Sequence, residues 1–356
     1  MTTLNDEYTH KYRTHRTWDR TMKTYAFQKP GGIENLRVSD APDCGRPSAG
    51  DIKVRVKASS LNGHDLNVVK GILPVVEGRV LLTDCAGVVE EIGEGVTGLL
   101  AGDTVVSTFF PYWEDGDAVI ANFESTPGDG IDGYASEVVI RPAHFFTKAP
   151  AGWSFEEVAT LPTAGLTAFR ALVIEGRVSA GQDVLLLGTG GVSILALQMA
   201  KALGARVTIT SSSDEKLANA QKLGADHVLN YRTGKDWAHQ VLDFTDGKGV
   251  DLTLETGGPG TLPHSIRATR IGGRIVLVGV LTGTAGQVPT VAIMARQQQL
   301  CGITVGSRRQ QKEMVRALVE WGLRPHISSV FAFAQLREAM RFQDSGNHFG
   351  KIVITF

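Results

Sequence analysis

Between Asp51 and Ser60 apolar and charged side chains alternate, with Ile52, Val54, Val56 and Ala58 on one parity and Lys53, Arg55 and Lys57 on the other. A repeat of two turns one face to a core and the other to water, so the segment predicts a strand of an antiparallel sheet or barrel. Shorter strand candidates follow at 87–92, 104–108 and 134–140, separated by turns such as Gly93-Glu94-Gly95 and Gly102-Asp103. From residue 183 the pattern changes. Short, continuously apolar strands at 183–187, 205–210, 226–229, Val250–Glu255 and 274–279 alternate with helical periodicity at 191–203, 214–223, 235–244 and 261–269. Strands apolar on both faces, each followed by a helix, predict a parallel sheet covered on both sides, that is, a doubly wound α/β domain. A strand-like stretch at 301–305, a helix at 310–321 and a last apolar strand at 352–356 complete the chain.

A length of 356 residues is more than one core usually organises, which fits two architectures in one chain. Lys and Arg number 36 against 37 Asp and Glu, a balance that gives no support to a nucleic-acid or anionic-membrane partner. No apolar run is long enough to span a bilayer. Cys44, Cys85 and Cys301 lie far apart without CxxC pairing, so a reducing, cytoplasmic setting is the default expectation. Residues 1–21 form a polar, Thr-rich tail. Its Asp6, Glu7 and Asp19 argue against a mitochondrial presequence.

The strand at 183–187 runs directly into Gly188-Thr189-Gly190-Gly191-Val192-Ser193 and a helix. Gly188 lets the chain turn sharply, Gly190 lets a pyrophosphate approach the backbone, and the amides at the helix start bind that anion. Ser193 stands at the third glycine position. The strand before and the helix after make the motif informative. NAD-selective sites place Asp or Glu at the end of the second strand, where this chain has Ser211-Ser212-Ser213. Hydroxyls can donate to a 2′-phosphate that a carboxylate would repel. With Lys216 nearby and Tyr231-Arg232 after the third strand, the reading favours NADPH. Gly257 is counted among the cofactor-binding positions.

Together with this turn, Val56-Lys57-Ala58-Ser59-Ser60-Leu61-Asn62, Ala86-Gly87-Val88-Val89-Glu90-Glu91-Ile92-Gly93, Ala164-Gly165-Leu166-Thr167-Ala168, Leu223-Gly224-Ala225-Asp226-His227-Val228 and Gly350-Lys351-Ile352-Val353-Ile354 resemble the zinc-independent branch of the medium-chain dehydrogenase/reductases, near the quinone oxidoreductases and their alcohol-dehydrogenase-like relatives. The resemblance covers nearly everything from Met22 onward. It implies a GroES-like catalytic domain at 22–153 completed by 306–356, with a Rossmann nucleotide-binding domain at 154–305 inserted between. It implies that Thr167 and the loop Gly279-Val280-Leu281 line the nicotinamide and that Lys351 reaches the cofactor phosphates. A homodimer paired through the edge strand of the nucleotide domain, at 300–306, is a further implication.

Zinc-dependent members hold the metal through Cys, His and a second Cys or acid. At the matching positions this chain has Asn62, Leu82-Thr83-Asp84 and Thr163, a poor donor set for tetrahedral zinc, so no metal is expected. Without a Lewis acid, hydride transfer depends on hydrogen bonds and positioning, which suits conjugated substrates such as enones, enoyl groups and quinones. Asn62 is the first choice to orient a substrate oxygen. His64 matches a proton-passing position. Asp65 matches a recurring acid of the family and is either a catalytic residue or a structural one, and Tyr112, in Phe109-Phe110-Pro111-Tyr112-Trp113, is either a pocket wall and proton donor or part of an aromatic core. NADPH-dependent reduction of an activated C=C bond is the leading expectation. Zinc-free reduction of an aldehyde or ketone is the rival, and a non-catalytic NADPH-binding protein stands as a third reading.

Overall fold

The computed structural model describes residues 21–120, 122–234 and 236–356. All but the last residue of the polar tail lies outside them. β1 (Thr21–Tyr25) pairs with β2 (Val38–Pro42), and β3 (Asp51–Ser60) leads into a short helix, α1 (Gly63–Val69). β4 (Ala86–Ile92), β5 (Thr104–Ser107), β6 (Val138–Pro142) and β7 (Phe146–Lys148) follow. α2 (Phe155–Ala159) then leads into α3 (Leu166–Phe169), which is framed by π-helical turns at Leu161–Gly165 and Arg170–Glu175.

Strict alternation then sets in. β8 (Asp183–Leu186), α4 (Gly191–Ala202), β9 (Arg206–Ser211), α5 (Asp214–Lys222), β10 (His227–Asn230), α6 (Trp237–Phe244), β11 (Val250–Glu255), α7 (Leu262–Ala268), β12 (Thr269–Leu277), α8 (Thr290–Ala295) and β13 (Gln299–Gly302) succeed one another. The six strands are all parallel, in the order β10-β9-β8-β11-β12-β13. The strand order reverses between β8 and β11, so the glycine turn after β8 opens at the crevice where such sheets bind ligands. β13 lies at the sheet edge.

The chain then returns to the first domain through α9 (Arg308–Glu320), β14 (Ile327–Ala332), α10 (Leu336–Asp344) and β15 (Lys351–Thr355). β15 pairs parallel with β14 and antiparallel with β3, with Val353 opposite Ser60, so the two chain ends share one seven-stranded sheet. A single core cluster bridges the two architectures: Phe109, Phe110 and Trp113 of the first pack with Leu161, Leu166 and Ile194 of the second.

Several local expectations need correction. Lys53, placed on the wet face of β3, is buried, because its ammonium donates to the Gly45 carbonyl at 2.9 Å and to Asp43 at 3.3 Å. The strand expected at 134–140 begins only at Val138. Tyr134 is instead fully buried against Phe146, ring centroids 5.8 Å apart. β12 starts at Thr269, where it pairs with Val250, five residues before the apolar run that marked it.

Glu255, at the end of β11 and out of reach of solvent, organises the loop beyond it. Its Oε1 accepts from the Gly257 amide at 2.6 Å, the Gly258 amide at 3.0 Å and the Thr261 hydroxyl at 2.6 Å, while Oε2 accepts from Ser265. Each buried donor left without a partner costs about 1–3 kcal/mol. Glu255→Ala is therefore expected to lower the unfolding free energy by at least about 3 kcal/mol in urea titration. An unchanged midpoint and slope would contradict this role.

Candidate active site

The N-terminus of α1 is fixed by its own acid. The Asn62 amide donates to Asp65 Oδ2 at 2.8 Å, and Asp65 Oδ1 accepts the backbone amide and hydroxyl of Thr83 at 2.9 and 2.8 Å. Asp65 thus ties α1 to the segment before β4. Burial raises its pKa, while the Thr83 hydroxyl and Lys351 oppose the shift.

The chain kinks at Leu82, whose φ of 67° is unusual for a side chain branched beyond Cβ, and delivers Asp84 inward. Asp84 is 0% exposed and Lys351 2%. Asp84 Oδ2 accepts from Ser60 Oγ at 2.6 Å and Asn62 Nδ2 at 2.8 Å; Oδ1 accepts from Thr163 Oγ1 at 2.6 Å. The Lys351 ammonium donates to Asn62 Oδ1 at 2.6 Å and to the Leu61 carbonyl at 2.7 Å, and lies 3.7 Å from Asp84 Oδ2. Burial raises the pKa of Asp84 and lowers that of Lys351, and each opposes the shift in the other. Three hydroxyl or amide donors and a nearby ammonium compensate the buried carboxylate.

Two assignments change as a result. Asn62, the first choice for binding a substrate oxygen, has both amide protons committed, to Asp84 and to the Ser60 carbonyl at 3.3 Å, and its oxygen committed to Lys351. No donor is left on it for a substrate. Lys351, expected at the cofactor phosphates, lays only its stem along the glycine turn: a Cβ built on Gly191 would fall 2.5 Å from its Cδ. Its ammonium faces the other way.

The positions that carry zinc ligands in metal-dependent relatives, Asn62, Thr83 and Thr163, are all hydrogen-bonded into this network. Among the described residues no group of three or more His, Cys, Asp or Glu side chains is placed to hold a metal ion. The donor set does not fit zinc.

His64, in the first turn of α1, points into an aromatic nest. Its ring lies 4.8 Å from that of Phe123 and 5.6 Å from that of Phe109, centroid to centroid. Nε2 is 3.4 Å from Asp129 Oδ2, close enough for an ion pair with a protonated ring but without hydrogen-bond geometry. Burial lowers the pKa of His64, and Asp129 and Asp84 pull it back. The side chain keeps 12% of its surface accessible.

Tyr112 is elsewhere. It is 62% exposed and packs on His144 and Phe145, so it neither walls the site nor reaches it. Its neighbours Phe109, Phe110 and Trp113 turn inward and fill the core, and the apolar rings leave the phenol on the outside.

At the glycine turn, Gly188 has φ 74° and open space where a Cβ would stand. Gly190 caps α4, and Gly191 and Val192 begin it. Ser193 Oγ donates to the Leu187 carbonyl at 2.7 Å, so its hydroxyl braces the turn and is not free for an anion. Ser211 Oγ lies 3.4 Å from Thr189 Oγ1 and accepts from the Ser213 amide; Ser213 caps α5, accepting from the Lys216 amide, and Ser212 lies half-buried between them. Tyr231 is exposed, its amide bonded to the Ser211 carbonyl at 3.1 Å.

Thr167, in α3, donates to the carbonyl of Thr163, in the π-helical turn before it, at 2.7 Å. Gly257 is anchored by Glu255. Gly279 leaves no room for a side chain, since a Cβ would lie 2.6 Å from the Thr256 carbonyl, and Val280 and Leu281 are exposed beyond it. The sequence reading missed Glu255, Asp129 and the clamp of the C-terminal segment on the turn, where the Gly350 amide donates to the Thr189 carbonyl at 3.0 Å and Lys216 to the Gly346 carbonyl.

Fold and site together define a two-domain oxidoreductase that binds a nicotinamide dinucleotide. The chain belongs to the medium-chain dehydrogenase/reductase family: residues 48–151 match the alcohol dehydrogenase GroES-like domain and residues 191–321 the zinc-binding dehydrogenase domain. It is 40% identical to a zinc-type alcohol dehydrogenase-like protein of Schizosaccharomyces pombe, covering 91% of this chain and 96% of that one. An NAD-dependent alcohol dehydrogenase structure aligns with a TM-score of 0.85 at 33% identity over 94% of this chain and 100% of that one. A quinone oxidoreductase of Pseudomonas syringae aligns with a TM-score of 0.79 at 28% identity over 94% of this chain and 100% of that one.

Removing the ammonium while leaving the buried carboxylate is the direct test of the Asp84–Lys351 pairing. Lys351→Met is expected to cost about 3–5 kcal/mol of unfolding free energy, and adding Asp84→Asn to recover part of it. Strict additivity of the two substitutions in a double-mutant cycle would show that the pair is not coupled.

Proposed function

We propose that this protein reduces an activated carbon–carbon double bond, in an enone, enoyl or quinone substrate, with NADPH and without a metal. The observation that carries the reading is the Asp84 network, which puts a lysine-compensated carboxylate and saturated hydrogen bonds at the positions of a metal site. A site without a Lewis acid suits a substrate whose developing charge is delocalised into an enolate. Polyhydroxyl Ser211-Ser212-Ser213 with Lys216 and Tyr231, and no carboxylate at the end of β9, favours the 2′-phosphorylated dinucleotide.

When bound, the reduced nicotinamide supplies the hydride. Thr167 and the exposed Val280-Leu281 segment border the place for its ring, and the glycine turn with the start of α4 receives the pyrophosphate. His64 is the proton donor of this account. Burial lowers its pKa while Asp129 and Asp84 raise it, and its Nε2 lies 3.4 Å from Asp129 Oδ2. With Asn62 fully committed, the nearby amide only fixes the start of α1.

NADPH oxidation by metal-stripped protein over a panel of α,β-unsaturated aldehydes and ketones tests the reading. A saturated carbonyl product is expected; an allylic alcohol would instead establish carbonyl reduction, the chemistry in the names of the alcohol dehydrogenase relatives. His64→Gln is expected to lower kcat by about 100-fold or more at unchanged KM. A kcat within twofold of wild type would remove His64 from the mechanism.

A further inference from the structure

His348 lies in the loop between α10 and β15. The loop is clamped over the glycine turn by the Gly350 amide, by the Lys216 ammonium on the Gly346 carbonyl, and by the Lys351 stem on Gly191. The imidazole therefore sits on the dinucleotide cradle, its Nε2 4.0 Å from where a Cβ on Gly190 would stand. Its Nδ1 is buried with no hydrogen-bond partner. The charges acting on it among the described residues are both positive, Lys216 from α5 and Lys351 from β15, and the Phe342 ring of α10 covers another side.

We propose that His348 is a phosphate ligand of the dinucleotide site and takes up a proton from solvent when the dinucleotide binds. This rests on the reading of the turn as a dinucleotide site and adds a residue and a linked proton to it. The neutral ring is imposed by its surroundings: burial first, then the two lysines, push its pKa down to about 4. An anion arriving beside the Lys216 ammonium and the imidazole reverses that balance. It supplies the missing negative charge and an acceptor for the imidazolium N–H. The sign follows: because the bound form carries the extra proton, affinity is highest at low pH and falls, by up to about tenfold per pH unit, as pH rises through the pKa of His348 in the complex.

Calorimetric titration of the full-length protein with NADPH and with NADH, at pH 7 in buffers of different ionisation enthalpy, counts the protons taken up. Wild type is expected to take up at least about half a proton more than His348→Gln, and the variant to lose the pH dependence of Kd between pH 6 and 8. Excess uptake with NADPH alone assigns the 2′-phosphate as the partner, and uptake with both cofactors assigns the pyrophosphate. The wild-type pH dependence stands as a second measurement should the variant misfold. A Kd flat from pH 6 to 8, or equal uptake by wild type and folded variant, overturns the proposal while leaving the dinucleotide reading intact. Failure of the folded protein to bind either cofactor overturns that reading, and this inference with it.

Discussion

A carboxylate and an ammonium, both cut off from water, face each other where the chain's two ends meet. Asp84 comes from the segment just before β4 and Lys351 from the start of β15, and Asn62, capping α1, binds both. An isolated charge in such a place would be costly; here Asp84 accepts three hydrogen bonds and Lys351 donates two beside it. Ser60 and Thr163 complete the shell of Asp84, and Thr163 belongs to the π-helical turn that leads into the nucleotide-binding half. One polar network thus fastens the sheet shared by the chain ends to the helix beneath the cofactor site.

That constraint shapes what chemistry the site offers. Donors consumed in compensating Asp84 are unavailable to a substrate, so Asn62 and Thr163 frame the site more than they act in it. His64 keeps part of its ring accessible beside Asp129, within an apolar ring of phenylalanines. The same logic, inverted, governs the cofactor side. There the Lys216 ammonium and the His348 ring converge with the Lys351 stem at an open glycine turn.

The nucleotide-binding half was largely legible in the sequence because its signals are local. Val250–Glu255 and the helix after the glycine turn are set by apolar runs and by Gly188 and Gly190, and they emerged close to where the pattern put them. α1 and the π-helical turns were not anticipated, since each is shorter than the stretch over which periodicity can be read. Side-chain commitments were the least legible. Whether the Asn62 amide is free depends on Lys351, 289 residues away, and whether Thr163 can serve depends on Asp84, 79 residues away. The family resemblance marked Asn62, Asp65 and His64 as candidates for the site, but could not say which had a proton left to give. Tyr112 failed for a related reason: an aromatic run can bury only some of its rings, and the phenol is the one that water solvates best.

In the proposed function the Asp84–Lys351 network takes the place of a metal. Zinc stoichiometry by elemental mass spectrometry, taken together with turnover before and after chelator dialysis, tests it most directly. The account predicts substoichiometric zinc and a kcat unchanged by chelation or by added zinc. One tightly held zinc per chain, with activity lost on its removal and restored only by the metal, would contradict it.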